Sequence, residues 1–305
     1  MSIQSLLELE AGDKNSAIRL AYIDFKLRFS GFINRSDLNS MFGLKEAASS
    51  KLMSLYTEKT EKKNMVYDHK IRANVIKLDT FEPLLHINSE KALGMLANGF
   101  NKNKIYETPE LPYTRIGQIP NQLQIENVER ITRAMAGGYS ITCDYMSASS
   151  ENHSSRELVP LTLLFDGINW IFRAYYRNEN KFRNFNFSRA LNVKENSDSH
   201  KAPHEELTED KEWTTQVPLL LIPHPSLENK AKETLVADFG LKDSKLIITE
   251  RLALIWLLKS QWKIDDRCAE ELNNDRRLKA NKFNFLLSNQ DMIEAVKDTL
   301  NLKND

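Results

Sequence analysis

Apolar residues recur at helical spacing at Ile18, Tyr22, Phe25 and Phe29, which predicts an amphipathic helix over residues 15–29 with an aromatic inner face. Asn34, three residues before Asp37, forms a capping pattern that opens a second helix. Its inner face is Leu38, Met41 and Phe42, and Gly43 ends it. A third helix follows over residues 45–56, with Ala48, Leu52 and Leu55 inward. Glu46, Ser50, Ser54 and Thr57 face outward, flanked by Lys45, Ala47, Ser49 and Lys51. Residues 65–75, carrying Tyr67, His69, Lys70 and Arg72, read as a β-wing.

The middle of the chain changes period. After a connector over residues 78–112, which holds a short helix over 89–98, residues 121–136 read as a helix with Leu123, Ile125, Val128, Ile131 and Met135 apolar. Packed on the strands that follow, such a helix is placed to relay a signal towards the first three helices. Ile141, Cys143 and Tyr145 then alternate with Thr142, Asp144 and Met146, the period of two expected of a half-buried strand. Residues 158–165 are nearly continuous in apolar side chains and predict a strand buried on both faces. Asp166-Gly167 turns the chain into Trp170-Ile171-Phe172, and Asn178-Glu179-Asn180 turns it again into residues 182–187. Residues 196–212 are polar and acidic and read as a mobile loop. Beyond them the pattern predicts strand (213–222), helix (226–239), strand (245–249) and helix (250–261). Leu254, Trp256, Leu257 and Leu258 in the last helix exceed what one buried face needs, which fits either part of a contact with a second copy or a self-contained core.

Two short helices joined at a glycine, the second opening with small polar residues, form a helix-turn-helix pattern. Small side chains permit close approach to base edges, and flanking lysines reach phosphates. Residues 44–77 contain eight Lys/Arg against four Asp/Glu, so this segment is basic although the whole chain has a formal net charge of +0. The strands carry a second polar set. Arg156, Arg183 and Arg189 offer planar donor forks suited to phosphate, and Tyr145, Tyr175 and Tyr176 offer stacking faces and hydroxyls.

At 305 residues the chain has room for two or three compact units. Cys143 and Cys268 are its only cysteines, which argues against a disulfide framework and for a reducing, cytoplasmic setting. The first residues lack the basic and apolar regions of a signal peptide, and no apolar run approaches the ~20 residues of a membrane span. No Cys-x-x-Cys, His-Glu-x-x-His, Walker or dinucleotide glycine pattern is present, so neither metal, cofactor nor catalytic residue is expected.

The ordered set Tyr145-x-Ser147-x-Ser149, Arg156 four residues before Pro160, Trp170-Ile171-Phe172, Ala174-Tyr175, Arg183-x-Phe185 and Arg189 resembles a WYL domain, although only the Trp of the Trp-Tyr-Leu triplet is literal. The first eighty residues are similar to the winged helix-turn-helix regulators found beside phage-defence systems such as BREX and CBASS. The matching segments are Ile18-Arg19 to Phe29, Ile33-Asn34-Arg35-Ser36-Asp37-Leu38, and Leu52 to Tyr56 followed by Asn64-x-x-Tyr67-Asp68. Lys45 and Lys51 depart from that pattern, where relatives place a hydroxyl residue and an acidic one.

The resemblance implies an α+β protein with a winged helix-turn-helix (1–80), a helical linker (81–136), a Sm- or SH3-like WYL β-barrel (137–195) and a C-terminal α/β extension that dimerises (213–305). It implies a homodimeric repressor of a phage-defence operon, bound to double-stranded operator DNA and released by a nucleotide or nucleic-acid-like anion. DNA contacts are expected from Arg35, Ser36, Lys45, Glu46, Ala47, Ser49, Ser50, Lys51, Ser54, His69, Lys70 and Arg72. Ligand contacts are expected from Tyr145, Ser147, Ser149, Arg156, Trp170, Tyr175, Arg183 and Arg189. Two rivals are an accessory protein that grips single-stranded nucleic acid and an enzyme acting on nucleotides.

Overall fold

The structure, a computed structural model, describes residues 13–101, 123–147, 155–267, 271–272 and 282–302. The chain divides into two compact units, Met1–Ala202 and Pro203–Asp305.

The first unit is organised around helix α1 (Lys14–Ser30), which Asp13 caps by accepting the amides of Asn15 and Ser16. The predicted aromatic face is buried, and so is nearly every other side of the helix, including Asp24 and Arg28. The amphipathic expectation therefore understates its burial, because later elements pack against α1 on several faces. A short strand β1 (Phe32–Ile33) leads to α2 (Arg35–Phe42). Its start is the expected reciprocal cap: the Asp37 amide donates to Asn34 Oδ1 at 3.0 Å, and the Asn34 amide donates to Asp37 Oδ2 at 2.8 Å. Leu38 is buried and Phe42 packs edge-on against Tyr22, whereas Met41, expected inward, is 36% exposed. Gly43 ends α2 at φ +66°, a left-handed conformation that side chains disfavour, and so sets the turn into α3 (Glu46–Lys59). The buried seam of α3 is Ser49, Leu52, Met53 and Tyr56. Ala48 is exposed, so the inner face is rotated by one residue from the expected one. Ser49 tolerates burial because its hydroxyl donates to the Leu44 carbonyl at 3.4 Å. Strands β2 (Met65–Asp68) and β3 (Ala73–Ile76) form the wing and pair with β1 in the order β1-β3-β2.

The connector contains α4 (Ser89–Asn98), and α5 (Ile125–Gly137) packs on both α1 and the sheet that follows. That sheet comprises β4 (Tyr139–Tyr145), β5 (Ser155–Phe165), β6 (Trp170–Tyr176), β7 (Lys181–Asn186) and β8 (Ala190–His200), in the order β7-β6-β5-β4-β8 and antiparallel throughout. The described ladders leave β7 and β8 outermost, so the expected barrel stands here as a five-stranded sheet. β5 is buried on both faces only over Leu158, Val159 and Pro160; a register shift follows at Pro160 and the strand then becomes partly exposed. Strand β8 replaces the first part of the expected mobile loop. Its polar residues have cross-strand partners: Asn196 Nδ2 donates to Ser140 Oγ at 3.0 Å and to Thr142 Oγ1 at 2.9 Å. Glu205 and Asp210, also assigned to that loop, are buried.

In the second unit Asp210 caps a short helix, α6 (Lys211–Thr214), which takes Trp213 out of the expected strand. There follow β9 (Gln216–Pro223), α7 (Asn229–Phe239), β10 (Leu246–Arg251), α8 (Ile255–Trp262), β11 (Ile264–Asp265), β12 (Phe285–Leu287) and α9 (Gln290–Thr299). The sheet order is β10-β9-β12-β11, which leaves β10 at an edge. Ile247 on β10 is 66% exposed and Trp256 on α8 is 57% exposed.

Candidate nucleic-acid interface and anion site

Helix α3 and the wing enclose a groove of about 610 Å³. Its floor holds Met53 and Asn74, whose side-chain amide lies 3.2 Å from the Met53 sulfur. Ser50, Ser54 and Thr57 line it from α3, Tyr67 and Arg72 from the wing, and Arg35 from the start of α2. Arg35 Nη1 reaches α3, 3.0 Å from Glu46 Oε1 and 3.5 Å from Ser50 Oγ. Lys45 precedes α3 without a side-chain cap, so the leading amides of the helix are not taken by its own N-cap residue. Lys45, Glu46, Ala47, Lys51, Ser54, His69, Lys70 and Arg72 are all exposed and Ser50 partly so. Ser36 is exposed but its hydroxyl donates to Asn34 Oδ1 at 2.5 Å, within the cap of α2. Ser49 must be withdrawn from the expected contact set: its burial is complete.

The second constellation lies on one face of the five-stranded sheet. Cross-strand pairing puts Cys143 opposite Arg156, Leu158 opposite Tyr176, and Ala174 opposite Arg183. Because side chains alternate along a strand, these residues share a face with Tyr145, Phe172 and Phe185. The Arg156 guanidinium carbon sits 4.8 Å from the centre of the Tyr145 ring and 5.4 Å from that of Tyr176. Its Nε is buried and, among the described residues, has no hydrogen-bond partner. Arg183 pairs with Glu179 at 2.8 Å. The Tyr145 hydroxyl accepts the Asn186 amide at 2.9 Å. Burial raises the Tyr145 pKa, while the Asn186 amide, Arg189 and Arg156 work against that rise. Burial pushes the Cys143 thiol up to about 12 despite the nearby Arg156.

Three family models match successive segments of the chain. Residues 15–97 match the BrxR transcriptional regulator winged helix-turn-helix domain, residues 126–195 the WYL domain, and residues 216–291 the BrxR transcriptional regulator C-terminal dimerization domain. The chain belongs to the BrxR-type WYL regulators. The DNA-binding transcriptional repressor CapW of Escherichia coli (strain KTE188) is 29% identical over 81% of this chain and 83% of its own length. That of Pseudomonas aeruginosa is 28% identical over 83% of this chain and 84% of its own, and that of Stenotrophomonas maltophilia 28% over 78% and 80%. Among solved structures, the proteasome accessory factor B/C of Arthrobacter aurescens gives a TM-score of 0.26 at 15% identity, covering 80% of this chain and 44% of that one, too loose a likeness to bear on mechanism.

Within this BrxR-type chain, α3 and the wing lie in the segment that matches the winged helix-turn-helix domain, and the five-stranded sheet lies in the segment that matches the WYL domain. Of the expected WYL-site residues, the structure brings Tyr145, Arg156 and Arg183 onto one face of the sheet, and places Arg189 within hydrogen-bonding reach of Tyr145. Tyr175 is a correction. It pairs with Phe182 on the opposite face and stacks edge-on against it, and Tyr176 takes the place beside Arg156. Trp170 is buried and donates its indole Nε1–H to Glu90 of α4 at 2.8 Å, so it ties the sheet to the connector. Ser147 is partly exposed at the end of the β4 segment, and Ser149 lies outside the described residues. Tyr67 and Asn74 line the groove without having been singled out for it. Tyr67 and Val66 are both exposed along β2, and of the two only Tyr67 lines the groove.

In the dimerization domain, Ser226 Oγ lies 2.7 Å from His224 Nδ1, and His224 Nε2 lies 3.3 Å from Asp265 Oδ2. This is the order of a hydrolytic triad, but His224 is fully buried and Ser226 belongs to the turn that follows β9. Burial holds the His224 pKa below its ordinary value. Burial opposes ionisation of Asp265, but hydrogen bonds from Arg267 overcome it and hold its pKa low. The cluster pins β9 to β11.

Proposed function

We propose that this chain is a sequence-specific DNA-binding transcriptional repressor, acts as a homodimer on an inverted repeat, and regulates a phage-defence operon. The observation that carries the reading is the groove between α3 and the wing, where small polar side chains of a recognition helix stand beside exposed Lys and Arg. The resemblance to repressors named for DNA binding supports it. Helix α3 enters the major groove with Ala47, Ser50, Lys51 and Ser54 towards base edges. Lys45, His69, Lys70 and Arg72 hold phosphates. Two such units read half-sites about 34 Å apart, joined through residues 213–305. No catalytic step is part of this reading.

The WYL domain, residues 137–195, receives a nucleotide or nucleic-acid-like anion at Tyr145, Ser147, Arg156, Tyr176, Arg183 and Arg189. The buried, unpartnered Nε of Arg156 supports an anion acceptor there, since leaving such a donor unpaired costs about 1–3 kcal/mol. The ligand releases DNA by favouring a conformation in which the two wings misfit the operator. A mobility-shift titration of the full chain against duplex DNA upstream of its own coding region tests the reading. Selective duplex binding, lost in Ser50→Glu and kept in Arg183→Ala, supports it. Preference for single strands, lost in Arg183→Ala, would replace it with the single-strand accessory role.

A further inference from the structure

Helix α1 buries two charged residues one turn apart, Asp24 at 0% and Arg28 at 8% exposure, that belong to neither the groove nor the sheet site. Asp24 Oδ1 accepts the Tyr56 hydroxyl of the recognition helix at 2.7 Å and the Leu84 amide at 3.0 Å, and Oδ2 accepts the Leu85 amide at 3.0 Å. The Leu85 carbonyl accepts Arg28 Nη1 at 3.1 Å, while Arg28 Nε donates to Glu129 Oε1 of α5 at 2.6 Å. One turn along α5, Arg133 Nη1 donates to the Arg28 carbonyl at 2.9 Å. Arg133 Nε and Nη2 also donate to Glu195 of β8 at 3.2 and 2.7 Å, and the Tyr139 hydroxyl donates to the same carboxylate at 2.6 Å. An unbroken polar series therefore runs from the recognition helix to the WYL sheet.

Stability alone is a weak reason for such a series, since apolar side chains of similar volume usually serve a core as well or better. Its connections suit a different task. Glu195 pairs with Ile141 of β4, the strand that ends in Tyr145, and lies on β8, which begins next to Arg189. Glu129 is shared: it holds Arg28 at 2.6 Å and has Arg133 at 3.5 Å as a second partner. If Glu195 withdraws, Arg133 has an alternative carboxylate at hand, and engaging it draws Glu129 from Arg28 and loosens the Leu84–Leu85 turn that Asp24 holds against Tyr56.

We propose that Asp24, Arg28, Glu129, Arg133 and Glu195 form a positioning relay that sets the recognition helix according to the state of the WYL sheet, with Glu129 as the element that changes partner. This inference rests on the repressor reading above. A physical link of this kind predicts energetic coupling between its two ends. The experiment is a double-mutant cycle on the full chain, with Glu195→Gln and Tyr56→Phe singly and together. Kd for duplex DNA upstream of its own coding region is measured by anisotropy, each preparation normalised to its active fraction by stoichiometric saturation. In the wild-type background Glu195→Gln changes Kd by about five-fold or more, and in the Tyr56→Phe background most of that change vanishes. An equal factor in both backgrounds, to within about two-fold, overturns the relay, as does an unchanged Kd in Glu195→Gln. Should Glu195→Gln not fold, Tyr139→Phe replaces it, removing one hydrogen bond to the same carboxylate and facing the same criteria. Failure of the wild type to bind any duplex overturns the repressor reading itself, which is a distinguishable result.

Discussion

Arg156 sits over the ring of Tyr145, its guanidinium carbon 4.8 Å from the ring centre, on strands that pair directly. Tyr176 closes on the same guanidinium from β6 at 5.4 Å. Two aromatic rings thus hold a cation whose Nε has no protein acceptor among the described residues, a geometry that suits an anion with a stacking base.

Arg156→Ala should therefore weaken binding of a short single-stranded oligonucleotide by about ten-fold or more, as followed by fluorescence anisotropy. Affinity for the upstream duplex should stay within about two-fold of wild type. Equal single-strand affinity in both proteins would remove Arg156 from the ligand site.

Lys70→Ala and Arg72→Ala should each make the dependence of log Kobs on log salt shallower by about 0.9 for duplex DNA, since each removes one phosphate contact. Ser50→Glu should abolish binding at all salt concentrations, because it sets a carboxylate against the groove floor. Slopes that do not move would place the wing away from the backbone.

Trp256 is 57% exposed and Ile247 is 66% exposed, within the segment that matches a dimerization domain. Trp256→Ser combined with Ile247→Asp should convert dimer to monomer in light scattering. Side chains so exposed contribute little to the fold of one copy, so unfolding of the monomer should change by roughly 0.5 kcal/mol or less. A dimer that persists would put the contact on another face.

Burial raises the folded-state pKa of Cys143 from 9.0 to about 12. An unfolded chain loses that proton first, so this contribution to stability is complete below pH 9 and is lost as pH rises towards 12. The slope approaches about 1.4 kcal/mol per pH unit in that window. Urea unfolding at pH 8 and 10.5 should show a larger alkaline loss in wild type than in Cys143→Ala; parallel losses would assign the alkaline limb to other groups.

Much of the winged domain was legible because short-range chemistry determines it. The Asn34–Asp37 cap, the left-handed Gly43 and the inward positions of Leu38 and Leu52 are written within a few residues of where they act. The face of α3 was misjudged by one position because Ala48 and Ser49 are equally small, and a carbonyl from the preceding turn, which no local pattern reveals, satisfies the serine. Strand β8 was hidden for a similar reason: its polar side chains are paid for by partners on β4 more than fifty positions away. At the sheet site the arginines and Tyr145 could be picked out by type, but choosing between Tyr175 and Tyr176 required the register of β6, which a single residue inverts. The polar series through α1 had no sequence signal, because its members are isolated charged residues in otherwise ordinary helices.

The ion pair between Arg35 and Glu46 has a consequence for how the groove meets DNA. A phosphate that recruits Arg35 displaces a tethered carboxylate rather than only a mobile cation. The liberated acid then stands beside a polyanion, where it must collect counterions or find a base-edge donor such as a cytosine amino group. On the repressor reading proposed above, random sequence would offer the first outcome and a matching site the second, and the exposure of both side chains keeps the penalty on indiscriminate attachment to about 1 kcal/mol or less.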